Sequence, residues 1–343
     1  MRVIVTGGCG FMGSDFVRKI AGRGFDVVVV DKLTYAGDKN RLKDIEGRYR
    51  LYINDITDFD NLKEIFEDEK PEYVVHYAAE THVDRSIIYP DAFVKTNVIG
   101  TFNLLKLSLD YNIKKFIHIS TDEVYGELPR DKGIKFTEES PLRGKSPYSA
   151  SKAGADHLVQ AFIKTYELPA VIIRASNNYG PWQYPEKLIP LTIAKAISNE
   201  KIPVYGDGRN VRTWLYVEDF TGAVLSILEK GKIGEIYNIG SNEEKENIDV
   251  IKKILALLGK GEDLMEFVPD RPGHDLRYSL DTSKVERETG WKARTSFDEG
   301  IEKTVKWYLD NIDWLLDKKM QVESFVKKLK EEFERYASKS RNA

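Results

Sequence analysis

The run Ser120-Thr121-Asp122-Glu123-Val124-Tyr125-Gly126 sets a hydroxyl and two adjacent carboxylates directly after Lys114-Lys115-Phe116-Ile117-His118-Ile119, a short apolar run that reads as a buried strand. Ligands of open α/β sheets bind off the carboxyl ends of strands, so these side chains stand where proton transfer can happen. Alone, the run reads as well as a turn with a helix cap, since Thr and Asp are common at both. Tyr148 and Lys152 downstream, with a glycine loop upstream, tip the balance, although alone the pair would read as an ordinary amphipathic surface pair. They are four residues apart on one face of a helix that Pro147 suits as a start. An ammonium near a phenol lowers the phenol's pKa by stabilising the phenolate, and a positively charged nicotinamide ring would add to this. A tyrosine tuned in this way can take a proton from a sugar hydroxyl while hydride leaves for a dinucleotide.

These groups need a scaffold, and it starts with the first residues. Val3 to Thr6 is a short apolar strand, followed by glycines at Gly7, Gly10 and Gly13 and a helical pattern through Val17 and Ile20. Strand, glycine turn and helix let the backbone approach a pyrophosphate, which the helix meets with free N–H groups and its positive dipole end. The second strand, Asp26 to Val30, runs into Asp31, 18 residues beyond Gly13. That is close to the spacing of about 20 for a ribose-binding acid. Its carboxylate would repel a 2′-phosphate and so favours NAD over NADP, with Lys32 a partial offset. A third strand, Arg50 to Asn54, ends at Asp55-Ile56, a polar–apolar pair that suits an adenine or a simple turn. A fourth, Tyr73 to Tyr77, opens into Ala78-Ala79-Glu80-Thr81-His82. The alanines allow a cofactor close; Glu80 and His82 can reach cofactor or sugar, although a lone histidine is more often structural. A long helix is expected over about Ala92 to Tyr111, with Thr96 and Asn97 in its first half. A sixth strand, Pro169 to Arg174, leads to Asn177 and Asn178, which suit a nicotinamide ribose, a substrate phosphate or a polar turn. Six βα units in succession predict a parallel, doubly wound Rossmann sheet.

Beyond Pro181 the composition shifts to loops with basic and aromatic residues. They include Lys187-Leu188-Ile189, the stretch Pro203 to Arg212, and Asp270 to Asp275. Arg209, Arg212 and Arg271 are candidates for a diphosphate, because guanidinium binds phosphate oxygens in pairs. Trp214 to Val217 and Ile236 to Ile239 read as strands, the first followed by a helix that can return to the sheet. The expected organisation is a cofactor domain over 1–180 with a return segment around 211–236, a smaller α/β substrate-binding domain over 181–314, and a helical extension over 315–343. On the extension Leu316, Met320, Leu329, Phe333 and Tyr336 fall near one face. A net charge of −3 with no long basic block argues against nucleic acid. One cysteine, Cys9, permits no intrachain disulfide and suits a reducing compartment. No apolar run approaches a membrane span, and a strand from Arg2 leaves no room for a signal peptide. A cytoplasmic protein is expected, with no metal.

With these residues in view, the chain resembles the extended short-chain dehydrogenase/reductases, and closely the dTDP-glucose 4,6-dehydratases, from Met1 to about Trp314. The resemblance rests on Gly7 to Gly13, Asp31 to Gly37, Ala79 to Ser86, Thr121 to Gly126, Tyr148 to Lys152, Ala175 to Gln183 and Asp270 to Asp275. The glycine loop and the Tyr/Lys pair belong to the whole superfamily; the Asp-Glu pair after Thr121 and the Asp270 loop are far more particular. Cys9 and Met12 stand where the family mostly carries Ala and Ile.

The resemblance implies NAD-dependent conversion of dTDP-glucose to its 4-keto-6-deoxy product. Tyr148 would be the base, Lys152 its tuner and Thr121 a partner of the 4-hydroxyl. Asp122 would be the acid for the departing 6-hydroxyl and Glu123 the base at C5. It implies cofactor contacts at Phe11, Met12, Lys32, Leu33, Thr34, Asp55, Ile56, Ala78, Ala79, Glu80, Thr96 and Asn178, beside the glycines, Asp31, Tyr148 and Lys152. The nucleotide sugar would meet His82, Thr121, Asn177, Lys187, Leu188, Ile189, Pro203, Val204, Tyr205, Arg212, Asn247, Asp270, Arg271 and His274. A homodimer through helices at about Ala92–Tyr111 and Tyr148–Tyr166 is also implied. Two rivals stand beside this reading. A nucleotide-sugar 4-epimerase would need no acid/base pair beyond Tyr148, and a non-catalytic dinucleotide-binding protein could lose Tyr148 or Lys152. The thymine base rests on the resemblance alone.

Overall fold

Valine-rich runs bounded by glycine and charge make the sheet. In β1 (Arg2–Thr6) and β2 (Asp26–Val30) every residue after the first is buried, as expected of strands covered on both faces. The computed structural model describes residues 1–130, 133–270 and 274–325. After β3 (Tyr49–Tyr52), β4 (Tyr73–His76), β5 (Lys115–Thr121) and β6 (Ala170–Ala175), the strand Ile236–Ile239 completes a seven-stranded sheet. Its order is Ile236–Ile239, β6, β5, β4, β1, β2, β3, and every pairing is parallel. The order reverses between β1 and β4, so a crevice opens off their carboxyl ends.

Alternation along the strands feeds two cores. Val3, Val5, Val27, Val29, Ile117 and Ile173 pack with Phe16 and Val17 of the helix Phe11–Ala21 and with Phe220 and Val224 of the helix Val217–Lys230. Ile4, Val28, Phe116 and Ile172 point the other way, onto Leu62, Phe66, Leu104, Val159 and Phe162. Each such side chain contributes about 1.5–3 kcal/mol by leaving water. The doubly wound α/β reading therefore holds, with a seventh strand added by the returning chain.

A smaller α/β region follows β6. Asn177–Tyr179, Val211–Tyr216 and Glu244–Glu246 form a three-stranded sheet, and Ile202–Tyr205 pairs in parallel with Met265–Val268. The helices Leu188–Ile197, Asn247–Leu257 and Phe297–Asp310 cover them. Residues 188–189 and 203–205, expected as loops, are thus helix and strand. Pro190 and Pro203 disguised them. Proline is tolerated in a helix's first turn and on an edge strand.

Two further expectations change. The helix expected over 92–111 is interrupted: Pro90–Phe93 and Thr101–Asp110 flank a π-helical stretch, Val94–Gly100. The wide turn brings Asn97 inward. Its amide bonds both main-chain groups of Glu80, at 2.9 and 3.0 Å, and the Ser151 hydroxyl at 2.9 Å. In the extension, residues 312–325 are helical, but the buried face runs through Leu315, Lys319 and Val322, while Met320 is 63% exposed. Lys319 can lie inward because its ammonium meets the Glu200 carboxylate. Leu329, Phe333 and Tyr336 lie outside the described residues. No helix among the described residues is long and apolar enough to cross a membrane.

Glycine is required where the glycine turn folds on itself. A Cβ at Gly13 would stand 2.2 Å from the Gly7 carbonyl oxygen, a backbone atom that cannot swing away. Gly13→Ala is therefore expected to lower stability by about 1–3 kcal/mol, read as an earlier denaturant midpoint at unchanged slope.

Candidate active site

The crevice predicted by the strand order is a cleft of about 280 Å³. Gly7, Gly10, Phe11, Met12 and Gly13 form its floor beside β1, and Ala78, Ala79 and Glu80 line it from the end of β4. Gly7 has φ +68°, and a Cβ there would stand 2.6 Å from the Ala78 amide nitrogen. The two strand ends can approach this closely only because no side chain intervenes.

Asp31, Lys32, Thr34, Asp55, Ile56 and Thr96 line the same cleft. Asp31 is fixed by N–H donors from Cys9 (2.9 Å) and Leu33 (2.8 Å), and burial raises its carboxyl above the ordinary value. Lys32 is drawn to Asp55 at 3.2 Å. Leu33 packs into the core under the helix Phe11–Ala21 and reaches Asp31 only through its main chain.

At the far end of the cleft lie Thr121, Glu123, Tyr148, Asn177 and Asn178. Ser176 Oγ, Asn177 Oδ1, Asn178 Oδ1 and Gln183 Oε1 are buried there without a protein partner. The amides of Asn178 and Gln183 already donate to Ser176 O and Asn178 O, at 3.0 and 2.8 Å. Unpaired buried acceptors are costly unless a ligand supplies donors. A dinucleotide with ribose hydroxyls and a carboxamide NH₂ fits this wall, the glycine floor and the acid at Asp31.

The carboxylate pair sits on a 3₁₀ turn, Asp122–Tyr125, that ends β5. Thr121 starts the turn: its hydroxyl accepts the Glu123 N–H and donates to Asp122 Oδ1, both at 3.3 Å. Asp122 is 2% exposed, and its Oδ2 has no partner. Burial first, and the charge of Glu123 second, lift its carboxyl to about 8, with Arg212 pulling the other way. Asp122 is thus neutral at pH 7 beside a second acid.

Tyr148 and Lys152 lie on the helix Pro147–Tyr166, whose start at Pro147 is fixed by a reciprocal Ser146–Ser149 cap. Lys152 is buried and donates to Ile119 O at 2.8 Å. The expectation that Lys152 brings the Tyr148 pKa down needs correction. Burial and the Glu123 charge push this phenol well above its ordinary value, against the Thr121 hydroxyl. Unassisted, the phenol stays protonated, so a bound positive ring would have to add to the Lys152 ammonium to lower it.

Among the residues expected at the nucleotide sugar, Thr121, Asn177 and Lys187 line the cleft. His82 lies 3.8 Å from Glu186 and caps the helix Val83–Ile88. Leu188 and Ile189 open the helix Leu188–Ile197, and Pro203, Val204 and Tyr205 lie on the edge strand Ile202–Tyr205. Asn247 begins the helix Asn247–Leu257 with its N–H on Asn210 O at 3.0 Å. Asp270 bonds His274 at 2.6 Å and faces Gly206. The smaller region thereby brings Asp270 beside the end of the strand Ile202–Tyr205, and the start of the helix Asn247–Leu257 beside Gly208 and Asn210. Arg212 stacks 4.3 Å over the Tyr278 ring and donates to the carbonyls of Val211, Asp275 and Leu276. Arg271 lies outside the described residues.

Sequence reasoning missed Arg41, Gln183, Tyr184 and Glu186, which also line the cleft. Gln183 to Glu186 follow the Gly180-Pro181 break, a turn signal beside the paired asparagines that could have flagged them. Arg41 carried none.

The raised Asp122 pKa has a stability consequence. In the unfolded chain the carboxyl ionises near 3.8; in the folded protein it stays neutral until about 8. Its contribution is fully present below 3.8 and is lost as pH rises through that window. Asp122→Asn is expected to gain thermal stability over wild type from pH 4 to 8 and no further above it. Melting curves across this range would show parallel behaviour if Asp122 ionised normally.

The sequence model of the GDP-mannose 4,6 dehydratase family matches residues 4–304. The dTDP-glucose 4,6-dehydratase of Haemophilus influenzae is 48% identical over 334 residues, covering 91% of this chain and 98% of its own. The crystal structure of a dTDP-glucose 4,6-dehydratase from Streptomyces venezuelae with NAD bound is 43% identical with a TM-score of 0.88, covering 92% of this chain and 98% of its own. The UDP-glucose 4-epimerase of Thermotoga maritima, solved with UDP-glucose, has a TM-score of 0.86 at 32% identity, covering 91% and 100%. The chain belongs to the GDP-mannose 4,6 dehydratase family, and the relatives it matches at nearly half of their positions are dTDP-glucose 4,6-dehydratases.

Proposed function

We propose that this protein is an NAD-dependent dTDP-glucose 4,6-dehydratase. The observation that carries the reading is Asp122, a carboxyl kept neutral beside Glu123 at the end of the strand that faces Tyr148. When bound, NAD would supply a hydride acceptor at C4 and the donor of that hydride to C6. The chain's own residues then have distinct tasks. Thr121 steers the 4-hydroxyl, and Tyr148 takes its proton with Lys152 beside it. A ketone at C4 makes the C5 hydrogen acidic, and Glu123 is placed to remove it. Loss of the 6-hydroxyl as water needs a proton, which neutral Asp122 can give. An epimerase on this scaffold has no such need, so the acid pair favours the dehydratase.

The remaining expectations form part of the same proposal. Residues 1–180, with a return around 211–236, hold the cofactor. The helix Val217–Lys230 and the strand Ile236–Ile239, both packed on the main sheet, support this division. The region 181–314 holds the nucleotide diphosphate, with Asn177 and Lys187 at its edge, and 315–343 is an extension. The buried thiol of Cys9 suits a cytoplasmic enzyme. The protein is a homodimer through its two long helical segments, since Val94, Ile99, Phe102 and Tyr166 are 50, 47, 39 and 53% exposed there. Apolar side chains gathered on two adjacent helices call for a cover.

Asp122→Ala or Glu123→Ala should slow dehydration by roughly 10²–10⁴-fold while C4 oxidation persists, so reduced nicotinamide builds up on the enzyme. With wild type, deuterium placed at C4 should appear at C6, and C5 should take its hydrogen from solvent. Label retained at C4 of an epimerised sugar would mean an epimerase instead. Light scattering at micromolar protein should give a dimer mass and Phe102→Asp a monomer; a wild-type monomer removes the dimer.

A further inference from the structure

Behind Tyr148 and Lys152 lies a polar core that the proposed chemistry leaves unused. The helix Pro147–Tyr166 sets Tyr148, Lys152 and Asp156 at four-residue spacing, so phenol, ammonium and carboxylate stand in file along one face. Lys152 Nζ lies 3.5 Å from His118 Nε2, and that nitrogen lies 3.4 Å from Asp156 Oδ1. Arg174 Nε donates to Asp156 Oδ2 at 2.8 Å, and its Nη1 donates to the Tyr125 hydroxyl at 2.9 Å. Tyr125 in turn donates to Asn238 Oδ1 at 2.8 Å. His118 and Asp156 are 0% exposed, Arg174 2% and Lys152 3%.

Among the described residues, Asp156 is the one counter-charge of this core. The core holds two cations, Arg174 and Lys152, and one anion. A buried ion pair gains little stability over well-packed apolar residues, so stability alone does not account for it. Removing the anion would leave two cations buried with no counter-charge, and the cheapest relief would be loss of the Lys152 proton.

His118 fixes the direction. One ring nitrogen, Nε2, faces both the ammonium and the carboxylate, and it cannot donate to one and accept from the other at once. Burial, with the charge of Lys152 added, brings the imidazole down to about 4, so it is neutral under working conditions. A hydrogen on Nε2 would turn His118 toward Asp156 Oδ1, a buried oxygen 3.4 Å away without another hydrogen-bond partner. Lys152 is then left to Ile119 O and to the phenol side of the site.

We infer that Asp156 is a positioning residue for the Tyr148–Lys152 pair, its buried carboxylate fixing, directly and through His118, the charge and the direction of the Lys152 ammonium. The inference rests on the reading of Tyr148 and Lys152 given above. The titratable and charged groups that face the pair are Asp156 on the same helix, His118 on β5 and His76 on β4 toward Lys152, Asp122 and Glu123 on the turn toward Tyr148, and Arg174 on β6 behind Asp156. Burial lowers Lys152 to about 8, and Asp156 is the charge that opposes the fall. A Lys152 that titrates near 8 gives C4 oxidation an alkaline limb, and loss of the Asp156 charge must move that limb to lower pH.

Asp122 also titrates near 8, so the test reads oxidation alone, as single-turnover reduction of bound nicotinamide in an Asp122→Asn background. Adding Asp156→Asn should move the alkaline limb down by roughly 1 pH unit, and Asp156→Glu should restore most of it. Asp156→Asn with Arg174→Gln removes the pair together, leaves no lone guanidinium, and should keep the shift; it serves as the reading if the single variant does not fold. A limb at the wild-type pH in these variants, with only stability or amplitude reduced, overturns the inference and makes Asp156 a structural residue. Lys152→Met separates the premise: unimpaired oxidation there overturns the Tyr148–Lys152 reading, and the role of Asp156 falls with it.

Discussion

β5 is buried along all seven of its residues, yet four of them, Lys115, His118, Ser120 and Thr121, are polar or charged. A buried polar group without a partner costs several kcal/mol in an apolar setting, and two of the four, Lys115 and His118, find theirs on other elements. Lys115 shows this most plainly. Its ammonium donates to the carbonyls of Ile227, Leu228 and Gly231 at 3.2, 2.9 and 2.9 Å. These carbonyls lie at the end of the helix Val217–Lys230, where a cation also meets the negative end of the helix dipole. One lysine at the start of β5 thus anchors the returning chain, and the strand Ile236–Ile239 follows it into the sheet. At the middle of β5, His118 meets the catalytic helix. At its end, Thr121 shapes the turn that carries the acids.

Burial pushes three carboxyl groups upward, and their partners then set how far each moves. Asp31 accepts two main-chain N–H groups, which offset a burial that still raises it. Asp156 is buried more deeply, yet hydrogen bonding from His118 and the charge of Arg174 bring it below its ordinary value. Asp122 has a weak contact to Thr121, a like charge beside it and one oxygen with no partner, and it stays neutral. One residue type thereby supplies a carboxylate held by main-chain donors, a fixed counter-charge and a neutral acid around the same sheet. None of the three assignments follows from residue identity; each follows from what donates to the oxygens.

This is also where legibility in the sequence ends. The strands were readable because parallel strands buried on both faces are continuous apolar runs, and the glycine turn because its spacing has a mechanical reason. The helix start at Pro147 carried its own cap. The Asp122–Glu123 pair could be placed off a strand end, and a raised Asp122 pKa could be anticipated, because two neighbouring acids in a closed site cannot both ionise. The smaller region was less legible, since Pro190 and Pro203 broke the periodicity of a real helix and strand. The π-helical stretch had no signal, because its cause is tertiary: Asn97 turns inward to reach Glu80 and Ser151. The direction of the Tyr148 shift was read from one neighbour, Lys152, when burial and Glu123 outweigh it. Pairwise spacing gives the sign of one interaction and not the sum over a site.

The fold itself does not select the reaction, since an epimerase shares it almost throughout. Selection falls to the turn after β5 and to how rigidly the two halves of the cleft face each other. Arg41 bears on the second requirement. Its buried guanidinium donates to Cys9 O at 2.8 Å, to Ala36 O at 2.5 Å and to Trp182 O at 2.9 Å. It thereby joins the glycine turn, the loop after β2 and the entry to the smaller region. Above it, Trp314 lies 5.8 Å away and donates to Asp38 at 2.9 Å. From the same helical segment, Phe325 stacks on Tyr35 at 6.0 Å and Lys319 meets Glu200. The extension therefore touches both the loop after β2 and the smaller region. Hydride that leaves one carbon and returns two carbons along demands a sugar held at a fixed height above the ring, and an offset of about 1 Å is enough to cost a hundredfold in rate. Cross-links made of one arginine and one helix join the two halves of the cleft that must keep such a distance.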